Sequence, residues 1–348
     1  MAATEYINIL KDLIRIPSLS RDEKGAADFL QGVLEKKGWD VRREGHNLWV
    51  ESEPAGAKPT ILLNAHIDTV RPNADWQRDP YVPCEEEGRL YGLGSNDCGG
   101  ALVSLIATFE RLTAKPQSCR YILSLTAEEE VSGKNGLDLL LPILGTIDFG
   151  IIGEPTMMQM AVEEKGLMVL DCTAHGRSGH AARNEGVNAI YTALPDIHWF
   201  KEHRFEKGSE FLGPVKMTVT QVTAGTQHNV IPDACRFVVD VRPNGEYRNL
   251  ELLQEIKAAV ACDVQERSTR LNSSRLPLGH PAVRRGEALG LTAFGSPTLS
   301  NQALCAFPTL KIGPGDSARS HTADEYITHK EIEQGIETYT ALLDGLTL

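Results

Sequence analysis

The stretch Thr60-Ile-Leu-Leu-Asn-Ala-His66-Ile-Asp68 runs an apolar segment straight into a histidine and an acid two residues apart. A short apolar run without polar alternation reads as a strand buried on both faces, the kind that helices cover in a parallel sheet. Residues 60–64 have this character, and so do 121–126, 149–153 and 309–312. A helix is predicted over 99–112 between the first two, and a closing helix over 329–346 after the last. Upstream, Tyr6, Ile9, Leu10, Leu13 and Ile14 keep helical spacing until Pro17, and a second helix over 25–37 stops at Gly38. Strands alternating with helices predict an α/β domain with a mixed, largely parallel sheet.

The middle third has a different rhythm. It reads as a strand over 166–174, a helix over 187–200 broken near Pro195, strands over 215–223 and 235–241, a helix over 249–261 and a strand over 263–268. A β-α-β-β-α-β order is the ferredoxin-like pattern. Because strands of the first kind resume only at Thr309, this α+β domain is placed at 164–272, inserted into a discontinuous domain formed by 1–163 and 273–348. The run Pro-Leu-Gly-His-Pro at 277–281 reads as loop punctuation.

Composition narrows the function. The 348 residues carry 35 basic and 47 acidic side chains, a net charge of −12. That balance opposes sequence-independent nucleic-acid binding, which needs clustered cations. No apolar run approaches a membrane span, and Met1-Ala2-Ala3-Thr4-Glu5 lacks the pattern of a signal peptide. The 7 cysteines are scattered without a C-x-x-C pair, which disfavours disulfides and thiolate zinc and suggests a reducing, cytoplasmic setting.

Chemistry gathers where the predicted strands end. His66 and Asp68 share one face of an extended segment, and such an acid can orient the imidazole. Gly92-Leu-Gly-Ser-Asn-Asp97 is a glycine-rich turn ending in an acid before a helix. Residues 121–126 lead into Ala-Glu128-Glu129-Glu130, residues 149–153 into Glu154-Pro-Thr, and the loop after 309–312 carries Asp316 and Ser320-His321-Thr. In open α/β sheets the site lies at the carboxyl ends of the strands. Two histidines and three carboxylates suit a pair of hard-to-borderline divalent ions, with zinc the leading candidate. Glu85-Glu86-Glu87 follows no apolar strand and reads as a solvated turn.

Other motifs fail. The 92–97 turn lacks the third glycine of a dinucleotide fingerprint, and no phosphate-binding P-loop is present. Gly176-Arg-Ser178-Gly179-His180 has a glycine one place too early for a nucleophile elbow. Cys98 reads as a small packing residue at the helix start rather than a thiolate ligand or nucleophile.

Taken together, His66-x-Asp68, Gly-Ser-x-Asp97, Glu-Glu-Glu130, Gly-Glu154-Pro-Thr and Ser-His321-Thr-x-x-Glu-Tyr resemble the two-zinc amidohydrolases and exopeptidases that include acetylornithine deacetylase, succinyl-diaminopimelate desuccinylase, aminoacylase and the glutamate carboxypeptidases. The resemblance implies a phosphorylase/hydrolase-like catalytic domain with an inserted lid that dimerises. It implies that His66 and Glu154 hold one zinc, Glu130 and His321 the other, and that Asp97 bridges them, with cobalt able to substitute. By the same resemblance Asp68 supports His66, Glu129 is the general base, and Glu128 opens the acidic triplet. In the lid, His180 matches a histidine that reaches the partner subunit's site, its bland alternative being a locally satisfied residue at a helix start. Asn229 and Arg242 match positions that bind substrate carboxylate, and Gly225 completes that turn. One departure stands out: the family commonly has a lysine two places after the bridging acid, where this chain has Asp97-Cys98-Gly99-Gly100.

The expected function is zinc-dependent hydrolysis of the amide of a small N-acyl amino acid. Acetylornithine in arginine biosynthesis comes first, with acetylcitrulline and succinylated ornithine or citrulline beside it. Succinyl-diaminopimelate is the nearest rival and a di- or tripeptide the next. A non-catalytic homologue serving binding or assembly should have lost a ligand or the base, and all are present.

Overall fold

Every residue of the strand Thr60–His66 is buried, as the apolar run requires. In this computed structural model, which describes residues 3–53, 56, 58–183 and 185–348, that strand occupies the centre of a mixed sheet. Met1 and Ala2, which open the N-terminal reading, lie outside the described residues. The strands run in the order Arg42–Glu44, Asn47–Glu51, Arg120–Thr126, Thr60–His66, Phe149–Ile152, Thr309–Lys311, Met160–Glu164. The central four are parallel, Thr60–His66 pairing with Arg120–Thr126 and Phe149–Ile152, and Thr309–Lys311 with Phe149–Ile152. Antiparallel strands flank them.

Alternation along the central strand feeds two cores. Leu62 joins Ile122, Leu137, Leu140 and Leu144 under the helix Leu137–Leu144. Ile61 and Leu63 point the other way, towards the face that carries the helix Gly100–Thr113. That helix is buried nearly throughout and packs against Thr4–Ile14 and the closing helix His329–Leu343. Its start packs closely on the segment that follows His321: a Cβ on Gly100 would meet Ile327 Cδ1 at 2.1 Å, so the isoleucine would have to shift.

The chain divides into two compact units, one of Met1–Val162, Leu276–Phe294 and Ser300–Leu348, the other of Glu163–Arg275 and Gly295–Leu299. The second unit holds a four-stranded antiparallel sheet ordered Lys216–Ala224, Ala234–Arg242, Met168–His175, Asp263–Glu266. Two helices, Ala189–Glu202 and Asn249–Ala259, share its core with Leu170, Phe237 and Val239, to which they contribute Phe200 and Ile256. The edge strand Lys216–Ala224 is exposed along most of its length. Among the described residues no helix is long and apolar enough to cross a membrane.

Several expectations need correction. The helix predicted to break near Pro195 runs unbroken over Ala189–Glu202. Proline removes the bond to the carbonyl of Tyr191, and Tyr191 lies on the exposed side, 71% accessible, where water can replace it. Glu85 and Glu86 belong to a short strand, Cys84–Glu86, which pairs with Arg89–Tyr91; the turn falls at Glu87 and Gly88, both at positive φ. The segment taken as loop punctuation ends in a helix, Pro281–Ala288, whose first turn is capped by His280.

Candidate metal centre

The parallel strands bring their carboxyl ends to one place. His66 ends its strand, 2% exposed. Its Nδ1 lies 2.8 Å from the backbone oxygen of Asp68. A carbonyl can only accept, so Nδ1 carries the proton and a neutral His66 offers the Nε2 lone pair. That Nε2 is 3.2 Å from Asp97 Oδ1 and 3.9 Å from Glu154 Oε1. The other Asp97 oxygen, Oδ2, lies 3.7 Å from Nε2 of His321, which in turn is 2.9 Å from Glu130 Oε2. The Asp97 carboxylate therefore stands between two imidazoles, one oxygen towards each. His66, Asp97 and Glu130 form one donor group, and His66, Glu129 and Glu154 another, the ligand atoms of each lying within 4.8 Å of one another.

Electrostatics set this cluster apart. Burial raises the Glu129 carboxyl to about 8, with Glu130 and Asp68 adding repulsion against the pull of His66. Burial also pushes up Glu154, next to Glu129 and Asp97, and Glu130, where the hydrogen bond from His321 works against the shift. His321 rises to about 9 through its bond to Glu130. Buried carboxylates this close repel unless protons or cations sit among them. Imidazole nitrogens and carboxylate oxygens without thiolate make a donor set for divalent cations of hard to borderline character. The residues fit two such ions sharing Asp97.

Supporting groups hold the cluster in register. Asp68 accepts the backbone N–H groups of Glu129 and Glu130 at 3.0 and 3.1 Å and the Ser20 hydroxyl at 2.7 Å. Glu128 faces away: its carboxylate takes the Asn135 amide at 2.8 Å, and its backbone sits at φ 56. Cys98 is buried and packs on His66, accepting its N–H at 3.2 Å, and burial pushes the thiol up to about 12. Its sulfur faces the His66 backbone and belongs to neither donor group, as a packing residue would. The lysine of the related motif has no room here. A Cβ on Gly99 would lie 2.4 Å from the Gly94 carbonyl oxygen and 2.5 Å from Leu10 Cδ1.

Sequence reasoning did not single out Ser20 or Glu325. Ser20 has no motif around it; Glu325 stood in the Ser-His-Thr-x-x-Glu run without a role. It is buried and accepts backbone N–H groups from Gly94, Asn96 and Asp97.

The remaining expected site residues lie in the second unit. His180 is exposed in a two-residue strand, its Nδ1 accepting from the Ala182 N–H at 3.1 Å. The backbone oxygen of Asn229 accepts from Ala181 at 3.0 Å. Gly225 sits at φ 71, a conformation other residues rarely adopt. Arg242 donates to both oxygens of Asp240, at 2.8 and 3.0 Å.

Known proteins bear on this geometry. Residues 62–345 match the model of peptidase family M20/M25/M40. The succinyl-diaminopimelate desuccinylase of Paracoccus denitrificans is 33% identical over 269 residues, 72% of this chain and 70% of that protein. The same enzyme of Cereibacter sphaeroides is 28% identical over 273 residues, 73% of this chain and 72% of its own. Among solved structures, the aminopeptidase PepT of Bacillus cereus superposes with a TM-score of 0.79 at 19% identity, covering 99% of this chain and 98% of its own. The Bacillus subtilis YXEP protein, described as a dinuclear metal-binding peptidase of the M20 family, gives 0.73 at 17% identity over 98% and 97%. The chain belongs to peptidase family M20/M25/M40 and is a metal-dependent hydrolase.

Proposed function

We propose that this protein hydrolyses the amide of an N-succinylated amino acid, with succinyl-diaminopimelate as its substrate, using two zinc ions shared through Asp97. The observation that carries the metal reading is the Asp97 carboxylate set between the Nε2 atoms of His66 and His321. The substrate reading is supported by relatives that bear the desuccinylase name across 70% or more of their length. Acetylornithine, favoured by the sequence reading alone, becomes the second substrate to test.

Bound zinc supplies a Lewis acid and an activated water near neutral pH. Glu129 is the base: it shares a donor group with His66 and Glu154, the residues that would hold one of the ions. Ions held beside it would draw this buried carboxyl back to its ionised form, which could take a proton from water and return it to the leaving amine. Asp68, through its contacts to the Nδ1 side of His66 and to the Glu129 and Glu130 backbone, keeps base and ligands in mutual register. In the second unit, Arg242 binds substrate carboxylate at the Lys216 end of its strand pair, Asn229 does so at the opposite end beside Gly225, and His180, next to Asn229, meets the developing oxyanion of the partner subunit's substrate. With Nε and Nη2 of Arg242 already on Asp240, Nη1 is the nitrogen available to substrate. The exposed edge strand Lys216–Ala224, with Val222 at 55% exposure, and the exposed Tyr191 and Leu194 nearby in the same unit support a homodimer through this domain.

Amine release by the zinc-loaded protein tests the reading. The panel holds succinyl-diaminopimelate, acetylornithine, acetylcitrulline, succinylornithine, succinylcitrulline and several di- and tripeptides. Succinyl-diaminopimelate is expected to lead by at least about tenfold in kcat/KM, a difference of about 1.4 kcal/mol. A leading acetylated compound or peptide would contradict the substrate assignment. The same preparation is expected to sediment at twice 38.1 kDa; a single-chain mass at micromolar concentration would remove the dimer.

A further inference from the structure

The loop that carries His321 also holds the turn that carries Asp97, and it does so at two points. At one end, Asn96 Nδ2 donates to the Asp316 carbonyl at 3.0 Å, while its Oδ1 accepts the Asp316 N–H at 3.0 Å. At the other, Glu325 Oε1 accepts the N–H groups of Asn96 and Asp97 at 2.7 and 2.9 Å, and its Oε2 accepts that of Gly94 at 3.3 Å. Glu325 is 2% exposed. These N–H groups are held away from the helical or strand pairing that would otherwise satisfy them, because the turn departs from both: Gly94 sits at φ 74, and Asp97 has φ −116 and ψ 100. A buried N–H needs an acceptor, and here one carboxylate serves three.

The consequence is geometric. Asp97 must aim one oxygen at each imidazole, and its backbone N–H is fixed by a side chain four residues beyond one of those imidazoles. His321, at φ 62, and Asp97 are thus set by one loop, although they are far apart in sequence.

We propose that Glu325 is a positioning residue: its carboxylate fixes the Asp97 turn to the His321 loop, so that the bridging acid and the second histidine hold the spacing two ions require. This rests on the two-metal reading above, and Glu325 itself touches no ion. Loss of such a supporting partner lowers metal affinity by about 10- to 100-fold. Glu325→Ala leaves three N–H groups without an acceptor. Glu325→Gln keeps Oε1 for Asn96 and Asp97 but sets an amide N–H₂ against the Gly94 N–H, so its effect should be smaller.

The test titrates cobalt chloride into chelator-treated protein, following binding by calorimetry and the cobalt d–d absorption, for wild type, Glu325→Ala, Glu325→Gln and Ile327→Val. Ile327 is buried in the same segment and serves as a control for general loosening. The wild type is expected to take two equivalents. Glu325→Gln should bind the more weakly held equivalent about tenfold less tightly with an altered spectrum, Glu325→Ala should lose it, and Ile327→Val should match the wild type. Should the alanine variant fail to fold, the glutamine variant decides. Two equivalents with the wild-type spectrum in Glu325→Gln, or the same losses in Ile327→Val, would overturn the positioning role. Wild type that binds no cobalt would overturn the metal reading, and this inference with it.

Discussion

Glu129 and Glu130 are neighbours in sequence and serve different partners in space. Glu130 reaches His321, whereas Glu129 groups with His66 and Glu154. The division follows from the backbone: Glu128 at φ 56 turns the chain sharply after its strand, and Asp68 holds the next two N–H groups. A shift of one residue would exchange base and ligand, so the assignment is open to direct test. Glu129→Gln keeps the size of the side chain and removes its ability to take a proton. It is expected to lower kcat by about 10²- to 10⁴-fold, the usual contribution of a general base, while metal content stays at two equivalents. Undiminished turnover would remove Glu129 as the base, and lost metal would make it a ligand.

At the scale of elements, what could be read in the sequence was what local pattern encodes. The four central strands are buried along their whole length and mainly apolar, and His66, Glu129, Glu130 and Glu154 sit at or just beyond their ends, so pattern and position sufficed to gather them. Glu325 and Ser20 were out of reach because their roles exist only through contacts between distant segments, 229 residues apart for Glu325 and Asn96 and 48 for Ser20 and Asp68. The helix through Pro195 was missed for a related reason: proline penalises a helix locally, and packing on a buried face outweighs that penalty.

The strand-end loops also carry a pH signature. Glu129 and Glu325 titrate near 8 in the fold against an ordinary 4.5, chiefly because burial disfavours their charged forms. Such raised groups stabilise the fold fully below 4.5, and that contribution is lost as pH rises towards 8. His321, raised from 6.5 to about 9, works in the same direction over the window from 6.5 to 9. The metal-free protein should therefore lose stability between pH 5.5 and 8.5, while ion binding strengthens as its ligands deprotonate. The difference in Tm between zinc-loaded and chelator-treated protein is expected to widen across that range by at least about 4 °C. Thermal melts at both pH values check this, and a constant or shrinking gap would contradict the electrostatic account.

On the scale of the whole molecule, one sheet explains why residues from four separate segments meet, and the His321 loop ties in the fifth, the Asp97 turn. Parallel strands deliver their carboxyl ends to a common edge, and the loop after Thr309–Lys311 adds His321 and Glu325 to what the first three strands bring. The second unit has its own antiparallel sheet and core, so the candidate carboxylate-binding residues Asn229 and Arg242 belong to a separately folded body.

The most direct test of the account is anomalous diffraction at the zinc edge from crystals grown with saturating zinc. Two peaks are predicted about 3.5–4 Å apart, on either side of the Asp97 carboxylate, one against His66 and Glu154 and the other against Glu130 and His321. A single peak at saturation, or two peaks that do not share Asp97, would contradict the two-metal centre.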